Sequence, residues 1–179
     1  SSKKNSLLIL GASSFVSKPL IEAIQKKTNF KIICQSRKNL KEKFSNYGNK
    51  IFFLNIDYSK LNYKIDHLHE CSYVVNLINS SSLNSNEIIN VRRFLKYVLK
   101  ISNAVLIHIS TASVYGCCQD QIISEDSICS PRNKYQITKR LDEIYLQKLA
   151  NDIGTKCFIL RPTEIIGYKS QNARKFIKN

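Results

Sequence analysis

Short apolar runs alternate along this chain with longer segments in which apolar residues return every three or four positions. Residues 7–10, 31–35, 51–55, 73–78, 104–109 and 156–160 have the length and the β-branched and aromatic content of buried strands. Between them, helical spacing runs over about 15–27, 40–46, a short piece at 63–69, 87–102 and 134–152. Strands that alternate with helices predict a parallel sheet covered on both faces, because a parallel connection needs a crossover long enough to hold a helix. The expected class is therefore α/β, a doubly wound parallel sheet in three α/β/α layers. Its ligand crevice should lie at the carboxyl ends of the strands. Residues 80–86, all Ser and Asn but for one Leu, read as a mobile loop.

Composition narrows this picture. A chain of 179 residues that is 43% hydrophobic can form one domain with a sizeable core. No apolar run nears the roughly 18 residues that a membrane span needs. The opening Ser1-Ser2-Lys3-Lys4-Asn5 leads into a strand rather than a signal peptide, so the expectation is a soluble cytoplasmic protein with no membrane partner. The six cysteines, Cys34, Cys71, Cys117, Cys118, Cys129 and Cys157, show no C-x-x-C spacing and no histidine cluster beside them, which argues against a metal site. Cys34 and Cys157 fall in apolar strands, where a reduced thiol packs as a small hydrophobe, and a reducing compartment is the simpler account.

A net charge of +15 raises the question of nucleic acid. The cations are spread, however, over Lys26-Lys27, Arg37-Lys38, Lys41, Lys43, Arg92-Arg93, Lys96, Lys100 and the stretch 174–178, with no aromatic platform among them. Solvated helix faces explain them better. A positive field also attracts an anionic, nucleotide-linked substrate.

Two segments carry the chemistry. Ser110-Thr111-Ala112-Ser113-Val114-Tyr115-Gly116 ends an apolar run, and Tyr135-Gln136-Ile137-Thr138-Lys139 opens an amphipathic one. Nine tyrosines and 21 lysines in 179 residues give about one Tyr-x-x-x-Lys by accident, so context decides. Residues four apart share a helix face. A phenol titrates near pH 10, and a neighbouring ammonium together with a cationic cofactor ring lowers that value toward neutrality. A hydroxyl and such a pair in one pocket are the equipment for redox chemistry on an alcohol.

The junction Gly11-Ala12-Ser13-Ser14-Phe15-Val16-Ser17 stands where a dinucleotide pyrophosphate rests on a helix N-terminus, with Ser14 and Ser17 at two positions usually held by glycine. The small serines allow close backbone approach and offer hydroxyls to phosphate. After the second strand, Ser36-Arg37-Lys38 presents cations where an NAD-selective site presents a carboxylate. A guanidinium grips a ribose 2′-phosphate, so NADP is expected, with NAD as the alternative. Asp57 can accept from an adenine amino group or cap the turn that follows it.

With these residues the chain resembles the extended short-chain dehydrogenase/reductases of the NAD(P)-dependent epimerase/dehydratase group, from Leu7 to about Gly167. Asp57 matches that group's adenine-contacting residue, and Val74-Val75-Asn76-Leu77-Ile78-Asn79 its strand beneath the nicotinamide. Asn90-Val91 is similar to its helix asparagine, and Arg161-Pro162-Thr163-Glu164-Ile165-Ile166-Gly167 to the segment after its sixth strand. The resemblance implies an NAD(P)-binding Rossmann domain over 1–167, with 168–179 beginning a substrate-binding region. Tyr135 becomes the acid/base, Lys139 its partner and a binder of the nicotinamide ribose, and Thr111 the holder of a substrate hydroxyl. Candidate dinucleotide contacts are Gly11, Ser13, Ser14, Phe15, Val16, Ser36, Arg37, Ile56, Asp57, Leu77, Ile78, Asn79 and Lys139.

The implied reaction is hydride transfer between a nucleotide-sugar carbon and nicotinamide. Sugar dehydratases of this group carry an acidic pair directly after the catalytic Thr, whereas Ala112 and Ser113 stand here, which favours epimerase or reductase. A homodimer is compatible with this reading. A non-catalytic NADPH-binding subunit, of the kind found as an accessory to respiratory complex I, is the alternative, although a structural cofactor has no need of a tuned phenol. An RNA-binding domain ranks third, on charge alone.

Overall fold

The computed structural model describes residues 5–40, 44, 51–59, 65, 67–116 and 122–165. Six strands, β1 (Ser6–Leu10), β2 (Lys31–Ser36), β3 (Ile51–Asn55), β4 (Cys71–Asn76), β5 (Val105–Ile109) and β6 (Cys157–Leu160), form one all-parallel sheet. Its order is β3-β2-β1-β4-β5-β6, the doubly wound Rossmann arrangement expected. Every strand lies within two residues of its predicted run.

All five residues of β1 are buried, because the strand is covered on both faces. Leu8 and Leu10 face a core with Phe94, Leu95, Val98 and Leu99 of α2 (Ser85–Ser102) and with Leu146 and Leu149 of α3 (Lys134–Ile153). Leu7 and Ile9 point the other way, toward Ile21 of α1 (Ser17–Lys27). Alternate residues of a strand take opposite faces, so one apolar run serves two cores and the sheet becomes the middle of three layers. Truncating the fully buried Phe94 to Ala costs about 3–5 kcal/mol in such a setting.

The helix ends follow from caps. The Asn84 side chain accepts the Glu87 N–H while Glu87 reaches back to the Asn84 N–H, so α2 begins at Ser85, two residues before the apolar spacing suggests. Asn133 caps α3, and Gly154 ends it in the left-handed region at φ 80°. Helix α1 starts at Ser17 rather than near Phe15, which puts Pro19 in the first turn, where its missing N–H breaks no bond.

The expected mobile loop at 80–86 is instead ordered by its own polar side chains. Ser80–Ser82 form a 3-10 turn capped by Asn79, and Asn84 then caps α2. Of the expected helix at 63–69, the described end is instead a 3-10 turn, Leu68–Glu70, entered through His67 at a left-handed φ of 72°. Most of the expected helix at 40–46, the boundary at 167, the basic stretch 174–178, Cys117 and Cys118 lie outside the described residues. No helix among the described residues is long and apolar enough to cross a membrane.

Candidate active site

The sheet reverses its winding between β1 and β4, and loops from the carboxyl ends of the strands part there to leave a crevice. A cleft of about 630 Å³ is lined by Ser14 and Val16 after β1, Leu77 and Asn79 after β4, Ser110 to Ser113 after β5, Tyr135 and Lys139 of α3, and Pro162 to Ile165 after β6. Beside it, a cavity of about 220 Å³ is lined by Gly11, Ser13, Ser14, Ser36, Arg37, Leu77, Ile78 and Asn79, with Gln35 and Tyr58. Thr111, Tyr135 and Lys139 are thus brought to one cleft. Most of the expected dinucleotide contacts gather in the two spaces.

Three do not. Phe15 is exposed and lines neither space. Ile56 is buried in the core, its carbonyl accepting from Gln35 Nε2 at 3.2 Å. Asp57 is exposed, and its Oδ1 accepts the Ser59 N–H at 2.9 Å, the turn-capping role.

Gly11 adopts φ 73°, and a Cβ there would sit 3.1 Å from both Ile78 N and the Leu77 carbonyl carbon. Only glycine lets the loop pass so close to the end of β4. Its N–H donates to Gln35 Oε1 at 3.2 Å, so a buried glutamine on β2, which the spacing did not single out, holds the loop. Ser17, expected to offer its hydroxyl to phosphate, turns it inward, 2.5 Å from the Ala12 carbonyl and 2.8 Å from the Ser14 carbonyl. Helix α1 has no side-chain cap and no acidic residue in its first turn, so no side chain of the helix neutralises its positive end. The loop and helix end therefore fit a dinucleotide pyrophosphate.

Strand β4 stops two residues earlier than its apolar run. Asn76 Oδ1 accepts the Ile78 N–H at 3.1 Å and turns the chain; Leu77 keeps one bond to β1, its N–H donating to the Leu10 carbonyl at 2.9 Å, and Leu77 and Ile78 line the crevice. The amide of Asn76 lies 3.2 Å from His108 Nδ1 and donates to it, which places the proton of the neutral ring on Nε2. Burial and the nearby Lys139 charge push His108 down to about 3, against the opposing pull of Glu143 and of a hydrogen bond to the Asn76 backbone.

Lys139 is 5% exposed, and its Nζ donates to the carbonyls of Ile109 at 2.9 Å and Ile78 at 3.4 Å. Two backbone ends thus aim the ammonium, and one of its three N–H donors is left for the cleft it lines. Burial lowers its pKa from the ordinary lysine value, while the Asp142 and Glu143 carboxylates act to raise it. Thr111 caps the turn Ala112–Tyr115, its Oγ1 accepting the Ser113 N–H at 3.2 Å and lying 3.0 Å from Ser113 Oγ. The cleft therefore holds a pair of hydroxyls where the resemblance implied one.

Beneath them lies Glu143, 1% exposed. It accepts from Ser110 Oγ at 2.5 Å, from Arg161 Nε and Nη2 at 3.0 and 2.9 Å, and from Arg140 Nη1 at 2.9 Å. Burial alone would raise its pKa, but the hydrogen bonds from Arg161, Ser110 and Arg140 together prevail and hold the carboxyl below its usual range. Arg161 also donates to the Tyr115 hydroxyl at 2.6 Å. One carboxylate so ties the ends of β5 and β6 to the helix that carries Tyr135 and Lys139. The only hint in the sequence was an acid four residues beyond Lys139, on the same helix face. Asn90, matched to the family's helix asparagine, is buried away from the cleft lining and donates to the Tyr58 carbonyl at 2.5 Å.

Arg37, expected to grip a 2′-phosphate, already has an anion: its Nη1 lies 3.0 Å from Glu87 Oε1. Among the described residues no group of three or more His, Cys, Asp or Glu could hold a metal ion.

Among solved structures, the chain is similar to UDP-glucuronic acid 4-epimerase from Bacillus cereus in complex with NAD, at 22% identity and a TM-score of 0.75 over 94% of this chain and 60% of that one. It is similar also to the Bordetella bronchiseptica enzyme WbmH in complex with NAD+, at 16% identity and a TM-score of 0.72 over 97% of this chain and 61% of that one. A third is the UDP-N-acetylglucosamine 4-epimerase from Methanobrevibacter ruminantium M1 in complex with UDP-N-acetylmuramic acid, at 19% identity and a TM-score of 0.68 over 89% and 55%. At these identities the likeness shows the fold, and the chain spans 55–61% of the length of these three structures. No curated protein matches the chain in sequence. The model of one family does match, over residues 7–179, nearly the whole length, and the chain belongs to the NAD dependent epimerase/dehydratase family.

Proposed function

We propose that the chain is the dinucleotide-binding part of a nucleotide-sugar epimerase or reductase. The observation that carries this is the meeting of Thr111, Tyr135 and Lys139 in one cleft that continues to the Gly11 loop. The Gly11 turn and the open end of α1 would hold the pyrophosphate, and Leu77, Ile78 and Asn79 the nicotinamide half. The bound nicotinamide supplies the acceptor and donor of hydride. The phenol of Tyr135 exchanges a proton with the sugar hydroxyl. Lys139, held by two carbonyls, sets a positive charge one helical turn from that phenol and binds ribose hydroxyls, and Thr111 and Ser113 orient the sugar.

The substrate class is supported by relatives of the same fold, which include an epimerase bound to UDP-glucuronic acid and NAD. Arg37 at the end of β2 supports NADP, and its pairing with Glu87 supports NAD. Tyr135→Phe should lower turnover of a UDP-sugar by about 10²–10⁴-fold while the dinucleotide stays bound. Unaltered turnover would remove Tyr135 from the chemistry, and a protein that binds the dinucleotide and turns over no sugar would point to the structural role.

A further inference from the structure

Glu87 belongs to two arrangements at once. Its Oε2 accepts the Asn84 N–H at 3.0 Å and closes the capping box of α2, while its Oε1 holds Arg37 at 3.0 Å. Arg37 follows β2, 50 residues earlier in the chain, so the pair joins that strand end to the first turn of α2 beside the smaller cavity. The partners differ in freedom. The Glu87 side chain is 14% exposed and the Arg37 side chain 51%. The carboxylate is the fixed member, held by its cap bond and favoured by the positive end of the helix, and the guanidinium is the one that can swing.

We propose that Glu87 is a specificity-determining residue for the dinucleotide, disfavouring a 2′-phosphorylated adenosine ribose by keeping Arg37 occupied. The inference rests on the cofactor reading. A 2′-phosphate seeks the paired N–H donors of a guanidinium. Here Nη1 of that guanidinium is already committed to a carboxylate, so a phosphate must share the cation with a second anion or displace it. A 2′-hydroxyl makes no such demand. Arg37 alone reads as a signal for NADP; Arg37 with Glu87 reads as a site in which NAD competes.

The affinities of NADPH and NADH for the full chain, measured by nucleotide fluorescence, test this in the wild type, Glu87→Gln, Arg37→Ala and the double variant. Glutamine keeps the oxygen that accepts from Asn84, so the helix cap survives. Glu87→Gln should shift the affinity ratio toward NADPH by about fivefold, the scale of a half-exposed ion pair, and the shift should vanish when Arg37 is Ala. An unchanged ratio with both nucleotides bound overturns the role of Glu87 alone. A gain that persists without Arg37 overturns occupation as its cause. Failure of every form to bind either nucleotide overturns the cofactor reading, and this inference with it.

Discussion

The two ends of the crevice handle charge in opposite ways. At the Arg37 end, a half-exposed guanidinium meets Glu87 near the surface, and Asp57 is exposed. At the Tyr135 end, Lys139, Asp142, Glu143 and His108 are all buried, and each feels at least one of the others. Exposed charges are screened and change partners at little cost, whereas a buried charge cannot lose its partner without a large penalty. One end is thus able to exchange ligands, and the other is built to keep its shape. This division suits a site that recognises at one end and reacts at the other.

The strongest expected effect is acid lability of the buried end. The unfolded chain takes up a proton at His108 below about pH 6.5, while the folded chain refuses it until about pH 3. Stability is therefore full above pH 6.5 and is lost as the pH falls through that window. The loss should be on the order of 4 kcal/mol, and His108→Asn should flatten that stretch of a urea-unfolding pH profile. An identical slope in the variant would break the contrast at its deepest residue.

Glu143→Gln comes next. It leaves Arg161 and Arg140 without their anion, and a loss of about 3 kcal/mol at neutral pH is expected from urea midpoints. Because the folded carboxyl lies below its ordinary value of 4.5, its contribution is present above that pH and fades below it. The gap between variant and wild type should close in acid; a constant gap would show that packing, not charge, is responsible.

Gly116→Ala tests the shape of the turn after Thr111. The residue has φ 80°, and an added Cβ would overlap the Ser130 carbonyl. About 2 kcal/mol should be lost in thermal unfolding, and an unshifted Tm would mean that the turn relaxes freely. Arg37→Ala should do least, under about 1 kcal/mol, since it removes an exposed pair. A larger loss would erase the difference between the two ends.

Legibility followed the same division. The strands were readable because a strand covered on both faces is a continuous apolar run, and β1 is buried at every residue. Thr111, Tyr135 and Lys139 were readable because their spacing along one strand end and one helix face is local. The end of β4 was not, since it depends on whether Asn76 bonds its own backbone, and an apolar pattern continuing into Leu77 and Ile78 gives no sign of that. Nor was the loop at 80–86, where Asn79 and Asn84 cap the turn and the helix that follow them. Phe15, Ile56 and Asp57 are adjacent in sequence to the crevice and are not among its lining residues.

The sequence by itself determined the alternation of strands and helices, the parallel sheet and the location of a Tyr–Lys pair beside a hydroxyl. Only the tertiary structure decided which polar groups answer to which. Glu143 meets Ser110 and Arg161 across 33 and 18 residues, Gln35 meets Gly11 across 24, and Arg37 meets Glu87 across 50. Hydrophobic burial acts by periodicity and can be read along a chain. A charge or hydrogen bond acts over a few ångströms of space, so its partner is known only once the chain has closed on itself.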